Sequence, residues 1–272
     1  MPGRQRYGGV ARATGATGEA GMKTDVVVER GGPSPVTLQR WSGLALVAGG
    51  PLMVVGVALH PSRETAATIL AAEGRLVTAH GLFTLAYLLL LLGLPGLYLT
   101  GSVRMGRLGL AGFLLAFTGT MLIAVSGNFG FLAPVLAADA PATIDTVNRY
   151  LPVAVLNAVA FTGFVVGFVL LGTAMASRTT LPRACGLLIA VGAPAQVLGF
   201  GLAQLASPAW WALAILGTLA LAAGLAWPGY GLWRRAGRLR SSTSGSRAVH
   251  PDEEAPWPRA SNAGTTMTRH SK

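Results

Sequence analysis

The chain has 272 residues, 52% hydrophobic and 11% charged, with a net charge of +11 and a mean hydropathy of +0.54. Soluble domains carry about a quarter charged residues, so the composition excludes an ordinary water-soluble globule. The basic surplus would suit nucleic acid in a soluble protein, but its distribution along this chain gives it another origin.

Residues 1–40 carry six basic and three acidic side chains, are rich in Gly, Arg, Ala and Thr, and lack a sustained apolar run. They read as a disordered cytoplasmic tail and not as a cleaved signal peptide. Met22, which opens "MKTDVVVERGGPSP", is a second candidate start.

No Asp, Glu, Lys or Arg occurs in 41–62, 76–103, 108–138, 150–177 or 184–233. About 18 apolar residues suffice to cross a hydrocarbon core about 30 Å thick. The last of these runs is long enough for two crossings, with "ASPAWW" (206–211) as a turn signal between them. The expectation is an all-α, polytopic membrane protein with a six-helix domain over 41–233. Its spans fall near 41–60, 77–100, 108–133, 151–177, 184–205 and 209–233. Residues 234–272, opening on the basic "RRAGRLR" and continuing rich in Ser, Pro and charge, read as a second disordered cytoplasmic tail.

Residues 1–40, 101–107, 178–183 and 234–272 contribute +3, +2, +2 and +5, and all fall on one side of a six-span trace. The intervening connections are neutral (Arg63, Glu64, Glu73, Arg75) or at −1 (Asp139, Asp145, Arg149). This is the positive-inside pattern. It places both termini in the cytoplasm and the protein in the plasma membrane, with anionic lipid head groups beside the basic segments and no role for nucleic acid. Trp41, Tyr98, Tyr230 and Trp233 fall near the inner boundary, and Tyr150, Trp210 and Trp211 near the outer one. Amphipathic rings prefer those depths.

An internal repeat accompanies the spans. "RWSGLALVAGGPLMVVG" (40–56) and "RACGLLIAVGAPAQVLG" (183–199) share Arg, Gly, Leu, Gly, Pro and Gly at an offset of 143. The second and sixth spans end alike in "GLPGLYL" (93–99) and "GLAWPGYGLW" (224–233), and two outer loops share "AATI" (66–69) and "PATI" (141–144). Three helical hairpins of one ancestry follow, each entering from the cytoplasm. The GxxxG of "GFVVG" (163–167) and the small pairs Ala195/Gly199 and Gly112/Ala116 suit close helix packing in lipid. They serve one bundle or a homo-oligomer equally well.

The residues that could carry chemistry lie in the outer half of this trace. His80, Thr84 and Tyr87 share one helical face at i, i+4 and i+7. Thr120 and Asn128 come from the third span, Asn157 from the fourth, and Gln196 and Gln204 from the fifth. Polar side chains in hydrocarbon are costly unless they meet partners or water. His80, Thr84, Tyr87, Asn128, Asn157 and Gln196 therefore form either interhelical hydrogen-bond glue or the lining of an outward-facing crevice. His60, before Pro61, is expected at the membrane boundary, where water can satisfy its ring, and 64–74 is expected to form a short amphipathic helix. Neither helix carrying a histidine contains a carboxylate, since Glu64 and Glu73 lie in the loop, so no metal and no cofactor is assigned. A bis-His haem or metal redox centre ranks third among the readings. The single cysteine, Cys185, is a packing residue. No HExxH, GxSxG or phosphate-binding glycine loop occurs, so no catalytic residue is assigned.

The stretches "LHPSRET", "AHGLFTLAYLLLLLGLPGLYL" and "LGLAGFLLAFTG" (108–119) together resemble multi-pass bacterial membrane proteins with a domain of unknown function. That resemblance covers about half the chain and implies a polytopic helical fold without an assigned activity. The leading expectation is a non-enzymatic integral membrane protein that interacts with lipid, a small apolar molecule or a partner protein. A facilitative transporter or exporter of a small uncharged or amphipathic solute is the alternative.

Overall fold

The computed structural model describes residues 35–147 and 149–245. The expected tails at 1–34 and 246–272 lie outside the described residues. The elements are α1 (Pro35–Leu59), α2 (Ala66–Ala71), α3 (Glu73–Gly127), α4 (Ala133–Asp139), α5 (Pro141–Val147), α6 (Leu151–Arg178), α7 (Arg183–Leu205) and α8 (Trp211–Gly245). Short 3-10 turns lie at Asn128–Phe131 and Pro208–Trp210. No strand occurs among the described residues. Two tail boundaries move: α1 takes in residues 35–40, and α8 continues through 234–245, both given to tails by composition alone. Polar residues next to a long apolar helix extend its hydrogen-bond ladder at little cost, because propagation adds one bond per residue fixed.

Among the described residues, six segments are long and apolar enough to cross a membrane: Val36–Leu59, Glu73–Gly101, Val103–Phe131, Leu151–Arg178, Arg183–Leu205 and Pro208–Arg238. The chain is a polytopic membrane protein. Large apolar side chains such as Leu88, Leu92, Leu114, Val159, Val191 and Leu216 point outward, which in water would be an aggregating surface and in lipid is the matching solvent. The second and third segments are built on one helical run, α3, broken at Gly106 (φ +58°, ψ −151°), a backbone that glycine adopts without steric cost. The ring pairs Tyr98–Phe113 (4.8 Å) and His80–Phe131 (6.2 Å) are both centred on Met105–Gly106, so the arms of α3 fold back antiparallel.

Close glycine contacts give the order of packing. Gly49 and Gly56 of α1 face Ala86 and Phe83 of the first α3 arm. Gly112 and Gly119 of the second arm face Leu171 and Phe164 of α6, and Gly192 and Gly199 of α7 face Leu221 and Ala214 of α8. Three hairpins thus use the same two-glycine seam at a spacing of seven. Between hairpins, Gly43 meets Gly229 of α8, Gly186 meets Gly172 of α6, and Tyr98 stacks on Phe113. Each hairpin's first helix therefore packs on the second helix of another, and the six close into a ring. The GxxxG glycines Gly163 and Gly167 face Gly119 and Ala116, so this motif is spent within the chain. Inside the bundle the Ser42 hydroxyl is satisfied by donating to the Leu92 carbonyl of the neighbouring helix at 3.0 Å.

The two ends of the bundle differ. Arg104 and Arg235 line a common cavity of about 220 Å³, and Gly106 lies beside Arg178, so the arginine-bearing connections share one end. The opposite end, marked by His60, is capped by α2, α4 and α5. There Ile69 of "AATI" and Ile144 of "PATI" are buried together with Leu76, Ala133 and Ala137 in a satellite apolar cluster.

Candidate functional site

Beneath that cap is a cavity of about 600 Å³, walled by both arms of α3, α6, α7 and the capping helices. His80, Tyr87, Asn128, Asn157 and Gln196 all line it, so five of the six residues singled out as a polar crevice share one space. Thr84 does not. Its hydroxyl donates to the His80 carbonyl at 2.9 Å, the usual i−4 back-bond of a helical threonine. Most of the remaining wall is apolar, with Phe161, Phe164, Val197 and Phe200 among its members. At its deep end lie Tyr87, Phe164 and Gln196, and beyond them Leu90, Leu94, Phe168 and Leu171 are wholly buried.

His60 departs from the sequence reading. It sits at the C-terminal end of α1, as expected, but is only 2% exposed and lines the cavity. Pro61 turns the chain so that the loop folds back over the ring instead of leaving it to water. Nδ1 of His60 lies 2.8 Å from the Pro61 carbonyl, and Nε2 lies 2.8 Å from a carboxylate oxygen of Glu64. Trp211 stacks on the ring at 5.6 Å and Phe200 and Phe83 enclose it at 5.3 and 5.9 Å. His80 stands edge-on at 5.2 Å between ring centroids.

The loop that supplies Glu64 is strapped down by helix-terminal chemistry. Arg63 donates to the carbonyls of Ala203 and Ala206 at the end of α7, and Arg75 donates twice to Leu59 O at the end of α1. Helix C-termini leave carbonyls unpaired and carry partial negative charge, so guanidinium groups suit both needs. The Glu64 N–H donates to Gln204 Oε1 at 3.0 Å, and Thr65 caps α2 through a reciprocal bond with Thr68. The apolar surroundings of the Glu64 carboxyl, which is still 36% exposed, would alone raise its pKa. The hydrogen bond and charge of His60, joined by the charge of His80, outweigh it and hold the group below its ordinary value.

One residue type was therefore missed. Glu64 was set aside because it lies outside the helices, yet the i, i+4 spacing of His60 and Glu64 across a proline was readable. Trp211, read as a boundary ring, also packs on His60. Four buried polar atoms lack a partner among the described residues: both ring nitrogens of His80, Thr120 Oγ1 and Gln196 Oε1. Gln196 Nε2 reaches only Met53 Sδ, at 3.7 Å. Haem does not fit between the histidines, because a bis-imidazole pair holds the porphyrin plane between its rings and these rings are in edge contact.

No family model, curated protein or solved structure matches this chain. Fold and site together define a class only, a six-helix polytopic membrane protein with a capped, mostly apolar cavity at one end of the bundle.

Proposed function

We propose that the protein is a non-enzymatic plasma-membrane protein that binds a lipid or another small amphipathic molecule in this cavity. The carrying observation is the cavity itself: about 600 Å³, apolar along most of its wall, with polar groups at His60, Glu64 and His80 beneath the cap and at Asn157 and Gln196 further in. Small-molecule sites are commonly 300–1,000 Å³ with few, convergent polar groups. The apolar wall would hold a tail and the histidine pole a head group. Both termini are cytoplasmic in this reading, with the arginine end beside anionic lipid and the cavity in the outer half of the membrane; the charge distribution supports that orientation. Membership among multi-pass bacterial membrane proteins with a domain of unknown function is part of the same proposal. The wholly buried leucines and phenylalanines beyond the cavity floor favour holding over passage through the bundle, which a transporter would need.

Native mass spectrometry of the full chain, released from detergent, tests the proposal. Wild type should carry a bound small molecule, and Val153→Trp, which fills the cavity from α6, should not. Bare spectra for both, with no thermal stabilisation of wild type by a membrane lipid extract, would overturn it.

A further inference from the structure

We infer that His60, Glu64 and His80 form a binding site for one divalent transition-metal ion of the zinc type, with its open coordination position facing the cavity. The inference goes beyond the cavity's occupant and stands whichever molecule, if any, fills that space. One ligand atom from each of the three side chains lies within 4.8 Å of the other two. Two imidazoles and one carboxylate form a donor set for zinc or iron(II), while magnesium and calcium prefer all-oxygen surroundings.

Three features of the geometry support this assignment. First, Nδ1 of His60 lies 2.8 Å from the Pro61 carbonyl, so it carries the proton and leaves Nε2 as the lone-pair nitrogen. Outer hydrogen bonds of this kind fix the tautomer and aim of metal-binding histidines. Second, that lone pair faces a Glu64 oxygen at 2.8 Å, a meeting of two acceptors that requires a proton or a cation between or beside them. Third, His80 stands against this pair with both nitrogens buried and unpartnered. A proton would satisfy His60 and Glu64 and leave His80 orphaned. A metal ion at the usual 2.0–2.2 Å from one atom of each would satisfy all three. The loop that carries Glu64 is itself held, by Arg63 on the Ala203 and Ala206 carbonyls and by the Glu64 N–H on Gln204. Three protein ligands leave a fourth position, which in zinc sites of this type takes water or a ligand.

The test uses the full chain, purified in detergent without a polyhistidine tag, stripped with chelator and titrated with Zn²⁺ against a competing indicator. Co²⁺ titration followed by visible absorbance reports coordination by the same donors. Wild type should bind about one Zn²⁺ per chain and gain thermal stability on binding. Glu64→Gln, His60→Asn and His80→Asn should each weaken binding by more than the roughly 10–100-fold that outer-shell partners control. Glu64→Gln lies in the surface loop, so it tests the site without opening the bundle. His250→Asn/His270→Asn, which removes the other two histidines of the chain, should bind as wild type does. Failure of wild type to bind stoichiometric Zn²⁺, or equal affinity in wild type, Glu64→Gln and His80→Asn, would overturn the site. Loss of binding in the His250/His270 variant would place the metal elsewhere and overturn it too.

Discussion

A Cβ added at Gly130 would overlap the His80 ring, whereas one added at Gly127, three residues earlier on the same cavity wall, meets nothing within 4 Å. His80 has little room to yield, because Phe83 and Phe131 already contact its ring. Overpacking of this kind costs about 1–3 kcal/mol. Gly130→Ala should therefore lower the melting temperature in detergent measurably and Gly127→Ala should leave it nearly unchanged, as differential scanning fluorimetry can read. The two histidines should differ in what their loss costs. His60 is enclosed by aromatic rings and has partners on both nitrogens, so His60→Ala removes packing and strands Glu64, at about 2 kcal/mol or more. His80→Ala in the metal-free protein removes a ring whose nitrogens have no partner to lose, so its cost should be smaller. Equal melting points for the two variants would contradict this account. Residue spacing places His60 at a helix end, but only the path of the loop after Pro61 decides whether water or Glu64 meets the ring.

Helix seams carry the next level of prediction. Gly167 lies so close to the Ala116 backbone that a Cβ there would overlap it, while a Cβ at Gly163 would sit 3.4–3.6 Å from Gly119 and Leu115, which is ordinary contact. Gly167→Ala should force apart α6 and the second arm of α3 and shift the folded fraction on size-exclusion chromatography. Gly163→Ala, in the same motif, should elute as wild type. Backbone cannot rotate aside as a side chain can, which is why these two changes should differ. The motif was legible from its spacing, but which glycine bears the contact was not. The seven-residue glycine seam of the middle hairpin, Gly112–Gly119, also escaped the repeat, because it lies 63 residues after the first seam and 80 before the third. Connections of unequal length hide a repeat whose packing is equivalent. The capping helices α4 and α5 were missed: "APVLAAD" follows the third span with little break in hydropathy, and only its burial beside Ile69 and Leu76 shows it to be part of a cap. The first outer helix, at "AATILA", was anticipated because charge sets it off on both sides.

At the scale of the whole molecule the six spans were legible and the cavity was not, because charge depletion is a one-dimensional signal while a cavity arises where seams diverge. Its direction can be measured. The basic connections share one end of the bundle and His60, Glu64 and the cap occupy the other, so one orientation places every basic segment in the cytoplasm and the cavity outside. Reporter fusions after Arg75, Arg107, Arg149, Arg183, Ser207 and Arg240 should alternate out, in, out, in, out, in. Cysteine labelling in intact cells then tests the cavity with the same topology. In a Cys185→Ala background, which removes the chain's one native thiol, Asn157→Cys places a thiol on the cavity wall and Val165→Cys places one two turns further along α6, away from that lining. An impermeant maleimide applied from outside should label position 157 and spare 165, because only a water-filled path from the outer surface reaches the first. Occupation of the cavity should slow the labelling at 157 without changing the fusion pattern, which separates the orientation of the helices from the filling of the space between them. A fusion after Arg240 reporting outside would invert the bundle and place the histidines on the cytoplasmic face.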